Sequence, residues 1–407
     1  MTPNKTPYAA HLAEAMRNGV VGGQLPVVLT DPNLLQDQAQ RLMPKRGFDY
    51  IGGGAGESAT VEANRMAFRR WSIIPRVLKP TSPRDLSISL FGHKYDSPVI
   101  MAPVGVQSLY HEDREIGVSR ACAALGVPFT LSTASSTGID ELVQANPQGP
   151  KWFQLYWPTD DEITASLLRR AQAAGYRVLV VTLDTWTLGW RPRDIDTANL
   201  PFLLGQGDQV GFEDPVFRAK LAEQTEGGTP ETDTMAAAAL WLGQCFPGVS
   251  RSWHQLSILR KNWDGPMVLK GILSVEDARL AVEHGIEGII VSNHGGRQMD
   301  GAVATLDALP SIVDAVGSQT TIMLDSGIRT GADVFKALAL GARAVFVGRP
   351  VVYGLGIDGT AGAQAVLAGL LADLDLTMGF AGVRTVPELR RALLAEGQSP
   401  ARGRARL

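Results

Sequence analysis

TTIMLDSGIRTGADVFKALALGARAVFVGRP, residues 320–350, holds two short apolar runs on either side of one helical pattern. The runs 320–325 (TTIMLD) and 343–347 (RAVFV) do not alternate polar with apolar, which suits strands buried on both faces of a parallel sheet. Between them, 330–340 has helical periodicity and stops at Gly341, a candidate C′ glycine. Strand, helix, glycine, strand is a βα unit. Upstream the unit recurs, with apolar runs at 98–102, 127–131, 151–155, 177–183, 266–270 and 288–292. Helical patterns at 114–125, 160–174 and 274–284 end at Gly126, Gly175 and Gly285. Eight units predict an α/β fold closed as a (β/α)8 TIM barrel. A doubly wound sheet is the runner-up, but no GxGxxG follows an early strand.

The chain has 407 residues, more than the roughly 250 that an eight-unit barrel takes. The expectation is a single domain over 1–407, with N-terminal helices and a hairpin over 1–97 and the barrel over 98–380. The interval after the fourth strand is enlarged, with an extended loop over about 186–250 that is rich in Gly, Asp, Glu, Thr and Ala. It reads as a lid, an oligomer contact or a disordered spacer; an enlarged βα loop lies at the C-terminal mouth, where barrel active sites sit. The stretch 33–70 reads as two or three helices interrupted by Gly52, Gly53 and Gly54.

Composition narrows the function classes. At 45% hydrophobic and 19% charged, the chain is neither disordered, collagenous nor coiled coil. A net charge of −3 offers no basic excess for nucleic acid, and the tail Arg402–Arg404–Arg406 is short. Two cysteines, Cys122 and Cys245, exclude a multi-disulfide scaffold and a cysteine-rich zinc module, and no metal site is expected. The most apolar stretch, 361–382, carries Gln364, Asp373 and Asp375, which favours a packed helix over a membrane span. The first residues lack the apolar core of a signal peptide, so the expected location is cytoplasmic.

The polar residues that matter fall just after strands, where a barrel points them into its mouth. Asp184 and Arg191 follow strand four; Lys270 ends strand five; His294 and Arg297 follow strand six. After strands seven and eight come Asp325, Gly327 and Arg329, then Gly348 and Arg349. Glycine with arginine there suits a phosphate, because bare backbone N–H groups approach closely and the guanidinium forks onto oxygens. The competing reading is a pair of tight turns. His294 can take a proton near neutral pH, with Asp184 orienting it, or it can be a loop histidine bonded to backbone. Lys270 can form a Schiff base if its pKa is depressed, stay charged beside an anionic cofactor edge, or snorkel.

These residues stand in stretches that resemble the FMN-dependent L-2-hydroxy acid oxidising family: SNHGGRQMDG (292–301), QLYWPTD (154–160), TLDTWTLGWRPRD (182–194), VLKG (268–271), DSGIRTGADVFKALALGA (325–342) and GRP (348–350). The resemblance covers about residues 45–390. It implies that His294 is the base, Asp184 its carboxylate partner, and Tyr156 a catalytic contact to the substrate hydroxyl. Arg191, Arg297 and Tyr50 would hold the substrate carboxylate, and Lys270 would stabilise negative charge on reduced flavin. FMN contacts by the same resemblance are Pro103, Val104, Gly105, Ser132, Gln154, Thr182, Lys270 and Ser292. Asp325, Gly327, Arg329, Gly348 and Arg349 would surround the ribityl and phosphate.

Three departures bear on the subfamily. Ala134 stands where glycolate oxidase has tryptophan, leaving room for a larger substrate side chain. Ser326 stands where many members have glycine. The long fourth loop resembles that of lactate 2-monooxygenase. The expectation is therefore oxidation of a small 2-hydroxy acid, L-lactate, with O2, giving acetate, CO2 and water. The alternative is an oxidase releasing pyruvate and H2O2, and a more distant one is a Schiff-base aldolase using Lys270. The resemblance also implies a homo-oligomer, tetramer or octamer, with neither nucleic acid nor membrane as partner.

Overall fold

Eight short parallel strands close into a barrel in the computed structural model, which describes residues 7–397. They are β1 (Val99–Met101), β2 (Phe129–Ser132), β3 (Lys151–Leu155), β4 (Leu179–Thr182), β5 (Met267–Ile272), β6 (Gly288–Val291), β7 (Thr321–Leu324) and β8 (Val345–Val347). Each pairs with the next in chain order, and β8 returns to β1 through Val345–Val99, Phe346–Ile100 and Val347–Met101. The basic tail lies outside the described residues.

Local chemistry sets the helix ends. Asp160 accepts the N–H groups of Glu162 and Ile163, Ser274 that of Asp277, and Thr330 that of Asp333. Each such cap stabilises its helix by about 1 kcal/mol. Gly126, Gly175, Gly285 and Gly341 end their helices with φ between +68° and +110°, a region that only glycine enters freely.

The barrel interior is packed. Ile100, Trp152, Val180, Val268, Ile290, Met323 and Phe346 form one buried cluster. Its lower end is stoppered by the hairpin Ile88–Leu90/His93–Tyr95: the Tyr95 hydroxyl accepts the Trp152 indole N–H at 3.1 Å, and Phe91 closes on the start of β6 at Gly288. That leaves the opposite end, where the strands finish, for chemistry.

Helices Pro32–Leu42, Lys45–Gly52 and Ala59–Arg69 precede the barrel, with the chain leaving helical structure at Gly53. The second and third bring residues 50–64 against the barrel mouth. The apolar C-terminal stretch forms one long helix, Arg349–Phe380, that breaks at Asp358 and Gly359. It is long and apolar enough by composition to cross a membrane. In the fold it packs on Arg114–Leu125 and Gly331–Ala339, and its buried Asp375 pairs with Arg84.

The fourth loop corrects one alternative: it is not a disordered spacer. It folds into Pro192–Asp196, Gln209–Phe212, Pro215–Gln224 and Thr234–Cys245. Asp214 and Asp233 cap the last two, and Phe217, Leu221 and Trp241 are buried beneath them. Enough apolar surface is covered to hold the segment against the barrel.

Candidate active site

A cavity opens at the C-terminal ends of the strands. The expected residues that line it are Tyr50, Pro103, Val104, Gly105, Ala134, Tyr156, Arg191, Lys270, His294, Arg297, Asp325, Gly327, Arg329, Gly348 and Arg349. Five others sit behind this lining. Ser132 donates to Gln154 Oε1 at 2.9 Å and Gln154 donates to Thr182 Oγ1 at 2.9 Å, a buried chain across β2, β3 and β4. Ser292 lies under Lys270, and Asp184 lies behind His294.

His294 sits just after β6 with φ at 57°. Its Nδ1 is 2.8 Å from Asp184 Oδ1 and 2.9 Å from Thr185 Oγ1, and the Thr185 hydroxyl donates to Asp184 at 2.7 Å. With Nδ1 engaged, Nε2 is the nitrogen left for a ligand. Burial drives the imidazole down to about 4, with Lys270 and Arg191 adding to the effect and Asp184 opposing it, so the ring is neutral at pH 7. Burial would raise the Asp184 carboxyl, but Lys270, His294 and Thr185 outweigh it and hold the group well below the usual carboxylate range.

Lys270 decides the Schiff-base alternative. Burial opposes its charge, yet Asp325 at 3.4 Å and Asp184 at 4.0 Å outweigh burial and raise its pKa. It also donates to Ser292 Oγ at 3.0 Å. A Schiff-base lysine needs the reverse shift, so the pairing with Asp325 and Asp184 speaks against the aldolase reading.

Arg297 lies over the Tyr50 ring at 5.0 Å and donates to the carbonyls of Tyr50 and Gly53. Arg191 donates to the Arg297 carbonyl at 3.0 Å. Arg349, expected to fork onto phosphate, gives one N–H from each nitrogen to the carbonyls of Ile51, Gly295 and Gly53. Its guanidinium thus also binds the cavity wall together. Four arginines and Lys270 line the cavity, while Asp325 in the lining and Asp184 behind it both pair with Lys270. Burial, with the neighbouring arginines, lowers Arg349 to about 9, and burial followed by Arg297 lowers Arg191. An unbalanced buried cation set is stabilised by anions.

Two of the lining glycines are required by the packing of the wall itself. An added Cβ at Gly105 would stand 2.5 Å from the Ala134 carbonyl, and one at Gly327, where φ is +89°, 2.6 Å from the Asn64 carbonyl. Gly348 immediately precedes the N-terminus of Arg349–Phe380, a natural anion position. The arginines and the helix start together fit a phosphate, with Pro103, Val104 and Lys270 left for a flat ring system.

Sequence reasoning missed several residues. Gln298 spends all its amide capacity on one junction: it donates to the carbonyls of Asp184 and Thr187 and accepts from Gly189 N–H and Arg191. Leu188, Phe202 and Phe246 come from the fourth loop and line the cavity beside Ala134 and Tyr156. The Tyr156 ring lies 4.9 Å from that of Phe246 and 6.5 Å from the imidazole, and burial pushes its phenol pKa up. The usable signal was the aromatic content of the loop, NLPFLLG and QCFPG.

Comparison with known proteins supplies the remaining constraint. Residues 39–396 match the sequence model of a family described as FMN-dependent dehydrogenase. An FMN-dependent alpha-hydroxy acid dehydrogenase of Penicillium citrinum is 53% identical over 94% of this chain and 95% of its own length. An L-lactate oxidase of Lysinibacillus sphaericus is 39% identical over 94% and 96%. A crystal structure of mandelate oxidase superposes with a TM-score of 0.77 at 36% identity, covering 90% of this chain and 98% of that one.

Proposed function

The chain belongs to the FMN-dependent dehydrogenase family, and on that premise we propose that it oxidises L-lactate with O2 to acetate, CO2 and water. Its coarser activity is the FMN-dependent oxidation of 2-hydroxy acids. FMN, when bound, supplies the two-electron acceptor. Gly105, Gly327, Gly348, Arg329 and Arg349 would hold it, with Lys270 as the buried cation for its negative charge.

Arg297 and Arg191 bind the substrate carboxylate beside Tyr50, so that proximity contributes to the rate. His294 takes a proton from the hydroxy acid through Nε2; the short contact to Asp184 holds the ring and stabilises it once charged. Tyr156 lies next to the imidazole, within reach of the same substrate.

The observation that carries the monooxygenase outcome is the apolar wall that the fourth loop adds to this cavity through Leu188, Phe202 and Phe246. Phe202 is buried, in one cluster with Val106 and Ala134. Such a cover slows product escape, and a retained 2-oxo acid meets the peroxide formed in the same turnover. The second reading is an oxidase, favoured by the relative named L-lactate oxidase. Product analysis of aerobic L-lactate turnover separates them. Acetate and CO2 in equal amounts support the proposal; stoichiometric pyruvate and H2O2 without acetate leave the oxidase.

A further inference from the structure

We infer that Ser326 is a positioning residue whose hydroxyl clamps the turn carrying His294 and ties it to the buried Lys270–Asp325 pair. The inference rests on the reading of His294 as the base. His294, Gly295 and Gly296 have φ of 57°, 67° and 72°, three successive residues in the left-handed region, where a histidine is strained. Every N–H of this turn has an oxygen acceptor. His294 N–H donates to Ser292 Oγ at 3.1 Å, Gly295 N–H to Ser326 Oγ at 2.9 Å, and Gly296 N–H to Asn293 Oδ1 at 3.2 Å.

Two of those acceptors come from the turn's own approach. The third is brought in from the end of the next strand. Ser326 is itself left-handed, with φ at 75°, where glycine would sit without strain. What the serine adds is a hydroxyl, which can donate once and accept as well. It donates to Asp325 Oδ1 at 2.7 Å while accepting from Gly295. Asp325 Oδ2 is 3.4 Å from Lys270 Nζ, and Lys270 donates to Ser292, the acceptor of the His294 N–H. The circuit runs from the turn through Ser326, Asp325, Lys270 and Ser292 and back to the turn. The backbone of the base and the buried cation thus form one network. Removing one hydroxyl opens it on the Gly295 side.

The test compares the wild-type holoenzyme with Ser326→Gly, Ser326→Asn and His294→Ala, by amide hydrogen exchange over residues 290–298, flavin absorbance and L-lactate kinetics. In Ser326→Gly, exchange at 294–296 should rise about tenfold, as for an amide that loses its acceptor. Exchange in β1–β4 should not change, and FMN should stay bound. The kcat should fall about tenfold with KM unchanged. Ser326→Asn, which tolerates the left-handed region and carries an acceptor oxygen, should recover much of both losses. Unchanged exchange at 294–296 would overturn the clamp. So would faster exchange with unchanged kcat, which makes the hydroxyl merely structural. If His294→Ala keeps flavin reduction, the base reading fails on its own, whatever the exchange data show.

Discussion

His294 and Asp184 meet through Nδ1 and Oδ1 at 2.8 Å, and the Thr185 hydroxyl touches both. The contact selects which ring nitrogen is free, and under the proposed mechanism its negative charge would stabilise the imidazolium formed on proton transfer. Asp184→Asn keeps the shape and removes that charge. Flavin reduction by L-lactate should slow by at least about a hundredfold while FMN stays bound. Stopped-flow absorbance measures it, and a rate near wild type would remove Asp184 from the proton-transfer step.

The pH dependence follows from the same pair. Burial lowers His294 to about 4, so the ring is neutral and ready to accept a proton throughout the neutral range. The kcat/KM for L-lactate should be level from pH 8 to about pH 5.5 and decline only below it. An acid limb centred at or above the unperturbed histidine value of about 6.5 would contradict the assignment. Linkage gives a second consequence. The unfolded chain takes up this proton near pH 6.5 and the native state only near 4, so the group's stabilising contribution is full above 6.5 and is lost as pH falls through that window.

Arg297 offers a test of geometry against charge. Arg297→Lys retains the cation but loses the planar fork and the face laid over Tyr50. A lost charge-assisted bond of about 2 kcal/mol corresponds to a rise in KM of about thirtyfold. Steady-state kinetics decide it, and an unchanged KM would show that the carboxylate binds elsewhere.

Gln298 should behave as a positioning residue for Arg191. Gln298→Leu has similar volume but frees Arg191 NH2, Gly189 N–H and the carbonyls of Asp184 and Thr187. The melting temperature should fall, in line with about 1–3 kcal/mol for a buried partner left unpaired. KM should rise more than kcat falls. Equal loss in both parameters would show that the junction supports the chemical step rather than carboxylate binding.

Much of this architecture was legible in the linear chain, for local reasons. Strand runs, helix periods and terminating glycines are read within a dozen residues, and the eight strands lie inside or next to the apolar runs. His294 and Asp184 were legible because a polar residue just after a barrel strand has one place to point; Lys270, expected to end its strand, lies within β5, which runs on to Ile272. Gln298 was not, because its partners lie 107 to 114 positions earlier and it reads as a solvated neighbour of Arg297. Of the three readings of the fourth loop, only the disordered spacer failed, for a similar reason. Its Gly, Asp and Thr content resembles a linker, while its order comes from the Asp214 and Asp233 caps and the burial of Phe217 and Trp241. The direction of Arg349 was hidden too, since it depends on carbonyls at Ile51 and Gly53 brought in by a helix outside the barrel.

The central claim is that His294 is the base through which this cavity oxidises a 2-hydroxy acid. The most direct measurement is anaerobic mixing of L-lactate with the wild-type holoenzyme and with His294→Ala, followed by flavin absorbance. Wild type should bleach in a single turnover, and His294→Ala should keep its oxidised spectrum, with reduction slowed at least about a hundredfold and FMN still bound. Bleaching of His294→Ala at a rate within about tenfold of wild type would contradict the account.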